Sequence, residues 1–148
     1  QQGRPFVGPA GKFLDELLAS IGLKRSQVYI ANVIKCRPQG NRDPLPTEIQ
    51  NCRAWLERQI EIVSPKIIVT LGRYSMGMFF PGKSISKVHG TAQKRENVLY
   101  YAMYHPAAAL HQASLRQEIE ADMLKIPALL TQSETIKEEE EPEQLTMF

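Results

Sequence analysis

The stretch "KIIVTLG", from Lys66 to Gly72, restricts the fold of this chain more than any other. Ile67 to Leu71 are all apolar or β-branched, so a strand made of them has no face for water. Such strands belong to parallel sheets covered on both sides. The flanking pattern agrees. "AGKFLDELLASIG" puts Ala10, Phe13, Leu14, Leu17, Leu18 and Ile21 on one helical face, with Gly22 as a stop. "QVYIANVI" is short and β-branched and predicts a strand from about Val28 to Val33. A helix is expected from Thr47, where Thr-x-x-Gln to Gln50 reads as a capping box after Pro46, to about Val63 before Pro65. A short helix, "RYSMGMFF", follows the apolar run. The glycine-rich "FPGKSISKVHG" then leads to a third strand, "VLYYAM" (Val98 to Met103), and a helix from about Ser114 to Leu130 closes the body. Alternation of strand and helix predicts an α/β fold of three layers, α/β/α, around a parallel sheet.

Size and composition set the outer limits. A chain of 148 residues, 43% hydrophobic and 23% charged, has enough material for one globular domain with a core. No apolar run is long enough to span a bilayer and no signal peptide opens the chain, so no membrane association is expected. Two cysteines are too few for a secreted disulfide scaffold, which makes a reducing cytoplasm the expected compartment. The first residue is Gln1, and a glycine-rich motif begins almost at once. A natural N-terminus further upstream is therefore expected. The formal charge of +2 hides two opposed regions. Residues 133–148 hold six Glu and one Lys, a net of −5, which leaves 17 basic and 10 acidic residues, or +7, on residues 1–132. A basic body fits a polyanionic partner, although solvated Lys and Arg occur on any surface.

In open α/β sheets, ligands bind outside the carboxyl ends of the strands. Asn32, Gly72 and His105 each fall at such an end, facing the loop "GRPFVGPAG" that carries Phe6. Taken singly, Asn32 or His105 reads as a strand-end cap. Three such residues on one rim read as a pocket. The two cysteines, Cys36 and Cys52, bracket a loop rich in Arg, Asn and Pro that is poor material for a core. Cys52 also lies on the apolar stripe Ile49, Cys52, Leu56, Ile60, so a buried structural thiol is one reading. A disulfide or a zinc site is another, weaker because no further Cys or His pair completes a zinc set.

Four motifs in order, "GRPFVGPAG", "YIANVIKCRPQGNRDPLPTEIQNC", "PKIIVTLGR" and "YHPAAAL", resemble the family 4 uracil-DNA glycosylases. These are the iron–sulfur members of the uracil glycosylase superfamily, and the resemblance runs from about Gly3 to Leu130. It implies a parallel four-stranded sheet of order 2-1-3-4, whose first strand is missing from this chain together with a Gly-Glu-x-Pro-Gly motif. It implies a [4Fe–4S] cluster for which Cys36 and Cys52 are two of four ligands, soft thiolates being suited to iron. It further implies base excision from uracil-containing DNA. The nucleotide is flipped into a pocket, where Phe6 stacks on uracil and the Asn32 amide pairs with its O4 and N3–H. His105 donates to O2 as the glycosidic bond breaks. Phe6 as a plain core anchor remains the competing reading.

The segment after His105 resembles the loop that wedges into the duplex. Leu110 is the expected wedge, while Ala109 stands where Leu is common and His111 where Arg is common. Arg37, Arg42, Lys83 and Lys87 are candidates for phosphate contacts, or solvated surface charges. The expected domain covers 1–131 and acts as a monomer. Residues 132–148 form an acidic tail expected to be disordered. Its end, "QLTMF", resembles the bacterial sliding-clamp pentapeptide, so Gln144, Leu145, Met147 and Phe148 are expected to bind a clamp. The competing class is a non-catalytic DNA-binding or clamp-associated member of the same superfamily. An upstream Gly-Glu-x-Pro-Gly motif and Cys pair would decide for the enzyme.

Overall fold

Residues 8–33 and 43–140 are described by the computed structural model, and the chain divides at Pro65 into two compact units. In the first unit, helix α1 (Pro9–Ser20) opens with Pro at its first turn, where a missing N–H costs nothing. Phe13, Leu14, Leu17 and Leu18 are buried at the spacing of one helical face. Burying each stabilises by roughly 1.5–3 kcal/mol. Gly22 stops the helix at φ +76°, and Leu23 N–H donates back to Leu18 O at 2.9 Å. Arg25 then ties the following 3₁₀ turn to α1, through Asp15 Oδ1 at 2.8 Å and Gly11 O at 3.2 Å.

Two expectations are corrected in this unit. Val28 to Val33 forms no strand: Val28 is extended (φ −126°, ψ 155°), but no ladder neighbour lies beside the segment among the described residues. Strand preference is realised through pairing and packing rather than in the backbone alone. Helix α2 (Pro46–Val63) starts one residue before Thr47, because Pro46 takes the first helical position. Glu48 therefore closes the cap, accepting from Leu45 N–H at 2.8 Å, in place of the pair Thr47 and Gln50. The C-terminus ends on Ser64 in the left-handed region, φ +49°, just before Pro65.

The second unit holds a three-stranded sheet of order β1-β3-β2, with β1 at Ile67–Leu71, β2 at Ala92–Arg95 and β3 at Val98–Met103. β1 and β3 are parallel, with Leu71 opposite Met103; β2 returns antiparallel on β3 through a tight turn in which Glu96 has φ +54°. The α/β class stands, but one of the three described strands is antiparallel, where this chain was expected to supply three parallel strands of a four-stranded sheet. Hairpin pairing accounts for the addition of β2, and the unladdered Val28–Val33 segment for one absence.

Side chains alternate across β3 and define the layers. Tyr100 and Ala102 face Met76 and Phe80 of helix α3 (Arg73–Phe79) and its flank, together with Ile85 and Val88 of helix α4 (Ile85–Val88). Tyr101 faces the other way, and its hydroxyl donates to Asp122 O at 2.7 Å on helix α6 (Ser114–Leu124). Ile119, Met123 and Ile126 are buried on that side. Helices thus cover both faces of β3. A short helix α5 (Ala107–His111) joins β3 to α6. The expected single helix from Ser114 to Leu130 is two, because Pro127 cannot continue an α-helical ladder. Helix α7 begins at Ile126 and runs to Glu140, into the segment read as tail. No helix among the described residues is long and apolar enough to cross a membrane.

Candidate active site

Parallel pairing brings the carboxyl ends of β1 and β3 to the same rim. There Gly72 N–H donates to Met103 O at 2.9 Å, one step past the last paired residues. The chain turns at Gly72 with φ +88° and ψ 176°, a region open essentially to glycine alone. The absent side chain is also what lets the next element close in, since a Cβ at Gly72 would lie 3.1 Å from the Cβ of His105.

His105 leaves β3 through Tyr104 and is held by the start of α5. Its Nδ1 accepts from Ala107 N–H at 3.0 Å, and its carbonyl accepts from Ala108 N–H at 2.9 Å. An accepting Nδ1 carries no proton in the neutral ring, so the ring proton resides on Nε2. Burial disfavours the charged form and lowers the pKa below the usual imidazole value. His105 is therefore a neutral imidazole at pH 7 with Nε2–H as its donor. A neutral donor of fixed tautomer suits an oxygen that gains negative charge during a reaction.

Against Tyr104, the residue before His105, lies a polar cluster that sequence reasoning missed. His89, which follows α4, places Nδ1 2.7 Å from Asp122 Oδ2 of α6. Asp122 is only 3% exposed, and its other oxygen is 3.5 Å from Lys125 Nζ. The His89 ring stacks against Tyr104 with centroids 4.6 Å apart, tilted by 35°. Burial, then Glu118 and Asp122, raise the Tyr104 phenol above its ordinary pKa. Gly90 makes room for the carboxylate, because a Cβ there would collide with Asp122 Oδ1. The only signal in the sequence was the dipeptide His89-Gly90; its partner lies 33 residues on. A shallow cleft lined by Lys94, Asn97, Val98, Leu99 and Ser133 sits at the other end of β3, away from His105.

The remaining expected residues are distributed as follows. Gly72 and His105 are brought together. Asn32 is exposed, on the extended segment of the first unit. Leu110 is 52% exposed on α5, with His111 exposed beside it. Phe6, Cys36, Arg37, Arg42, Gln144, Leu145, Met147 and Phe148 lie outside the described residues. Cys52 is half-buried on α2, along the stripe that contains buried Leu56. A half-buried thiol fits a soft-metal ligand reached from one side. Among the described residues no group of three or more His, Cys, Asp or Glu could hold a metal, so any cluster requires thiolates beyond Cys52.

A family model described as the uracil DNA glycosylase superfamily matches residues 1–126. The chain belongs to the uracil-DNA glycosylase superfamily. Among curated relatives of this superfamily, a type-4 uracil-DNA glycosylase of Archaeoglobus fulgidus is 47% identical, over 86% of this chain and 69% of that protein. One from Sulfurisphaera tokodaii is 48% identical over 87% of the chain and 63% of that protein. A third, from Saccharolobus solfataricus, is 43% identical over 88% and 65%. The chain thus spans about two thirds of the length of these glycosylases. Both residues that the structure brings together, Gly72 and His105, fall within the matched region.

Proposed function

We propose that this chain is the body of a type-4 uracil-DNA glycosylase, which hydrolyses the N-glycosidic bond of uracil in DNA as a first step of base excision repair. The observation that carries the reading is His105: half-buried, neutral, and fixed by Ala107 N–H so that Nε2 bears the proton. As the bond from the sugar C1′ to uracil N1 breaks, its electron pair passes to the base and charge collects on O2. A hydrogen bond from Nε2–H is strongest at that moment and so lowers the barrier selectively. The oxygen of a water then joins C1′, and the departing base regains a proton.

The other roles rest on the sequence. Phe6 stacks on the flipped uracil, and the Asn32 amide, donor and acceptor at once, pairs with O4 and N3–H. Cytosine presents the reverse pattern, so the same amide discriminates against it. Leu110, exposed beyond His105, is the wedge that holds the duplex open. Cys36 and Cys52 would hold a [4Fe–4S] cluster together with two further thiolates, and the cluster supplies a structural cross-link rather than chemistry. The 132–148 segment tethers Gln144, Leu145, Met147 and Phe148 to a sliding clamp, while the 1–131 body acts as a monomer on cytoplasmic DNA. Single-turnover excision from a uracil oligonucleotide by the full-length protein tests the reading. His105→Ala is expected to slow it by about 10²–10³, the usual loss for one such donor. Asn32→Asp is expected to weaken discrimination against cytosine. Unchanged rates for His105→Ala would remove the donor from the mechanism.

A further inference from the structure

We propose that His89 is a positioning residue for His105, acting through the stacked ring of Tyr104 and anchored by the buried carboxylate of Asp122. The inference rests on the reading of His105 as the donor to uracil, and goes beyond it by naming what holds that donor in place.

Three elements meet at His89. The end of α4 supplies the ring, α6 supplies Asp122, and the residue that carries β3 into the site supplies Tyr104. The 2.7 Å contact to Asp122 fixes the His89 ring about its own side-chain axis. Without a donor at that point, Asp122 would keep, among the described residues, Lys125 Nζ at 3.5 Å for a carboxylate that is almost wholly buried. The fixed ring is a wall for Tyr104, with centroids 4.6 Å apart. Tyr104 is the peptide neighbour of His105, so stacking that holds its ring restrains the backbone from which the imidazole projects. On the far side His105 is bounded by Gly72. Gly72 thus bounds the donor itself, while the stacked pair His89–Tyr104 anchors the residue that precedes it. Gly90 supports this assignment, because any larger residue would drive the Asp122 carboxylate out of its place.

The alternative is that His89 and Asp122 merely stabilise the fold. Single-turnover rate, DNA affinity and melting temperature, measured on the full-length protein, separate the two. Displacement of a reacting group by 1 Å costs about 10²-fold, so a partial displacement in His89→Ala is expected to slow excision about tenfold while DNA affinity is kept. His89→Arg, which retains a planar donor for Asp122 and a flat face for Tyr104, is expected to recover most of the rate. Tyr104→Phe keeps the ring and the rate, whereas Tyr104→Leu loses both. In a His105→Ala background, His89→Ala is expected to have no further effect on rate, because it has no donor left to position. A purely structural role predicts instead that the two losses multiply and that His89→Arg recovers nothing. Multiplying losses with an inert His89→Arg overturn the positioning role alone. An unchanged rate in His105→Ala itself overturns the underlying reading of the site. Should His89→Ala fail to fold, the pair Tyr104→Phe and Tyr104→Leu carries the same comparison, and equal rates for the two overturn the proposal.

Discussion

Replacing Gly72 by Ala separates backbone strain from displacement of the donor, because a second glycine supplies the control. Gly72 sits at φ +88° and ψ 176°, where a side chain costs roughly 1–3 kcal/mol. Its new Cβ would stand 3.1 Å from the Cβ of His105, against an ordinary carbon–carbon contact of roughly 3.5–4.0 Å. One of the two carbons must retreat by a few tenths of an ångström to relieve the contact. The Gly72 side is tied to Met103 O by its own N–H, and the His105 side to α5. Both are backbone-anchored, so the imbalance falls on the position of the imidazole. Gly82 also has a left-handed φ, +74°, but a Cβ there meets nothing within 4 Å. Gly82→Ala should therefore cost roughly 1–2 kcal/mol of strain alone. For a chain of this size each kcal/mol lowers the melting temperature by about 2–4 °C. Thermal melts should show both variants destabilised. Single-turnover excision should be slowed roughly tenfold in Gly72→Ala, by partial misplacement of the donor, and left intact in Gly82→Ala. Equal rates in the two variants, with both folded, would show that the Gly72–His105 approach does not set the geometry of the site.

Three further outcomes are expected. Because burial lowers the His105 pKa, the ring stays neutral below its ordinary titration point, so excision should persist below pH 6.5; the unfolded chain takes up that proton first, so stability falls as pH drops below 6.5, and paired rate and melting profiles check both signs. The full-length protein, purified without oxygen, should be brown with about four iron atoms per chain, and Cys52→Ala should lose that iron on elemental analysis while zinc in its place would revise the ligand set. A peptide spanning Glu138 to Phe148 should bind the organism's own sliding clamp at roughly micromolar Kd. Deleting Gln144 to Phe148 should abolish that binding and leave excision on short oligonucleotides unchanged; a peptide without saturable binding would end the tether reading.

What could be read from the chain was what burial writes into a local pattern. The run Ile67 to Leu71 announced a strand, the spacing of Phe13, Leu14, Leu17 and Leu18 a helix, and the residues just past two strands, Gly72 and His105, a rim. Elements stabilised by their partners left no such trace. β2 reads Ala-Gln-Lys-Arg, exposed throughout, and is a strand only because β3 lies beside it. Val28 to Val33 has the opposite problem, since its composition suits a strand and no neighbour pairs with it among the described residues. α5 hides in "PAAALH", where Pro106 followed by three alanines is a fair helix start masked by its likeness to a loop motif. His89 and Asp122 were invisible for a different reason. Each is unremarkable in its own segment, and only folding brings a carboxylate to a ring 33 residues away.

The bond from Ala107 N–H to His105 Nδ1 has a mechanical consequence. That amide belongs to the opening turn of α5, the helix that carries Leu110 at its other end. Tautomer, ring orientation and the reach of Leu110 therefore share one short rigid lever, with no loop between them to absorb slack. If Leu110 enters the base stack, then the depth of its insertion and the angle of the imidazole are a single coordinate. DNA that refuses the side chain also withholds uracil from the donor, and damage sensing and bond cleavage would be geared together by one peptide group.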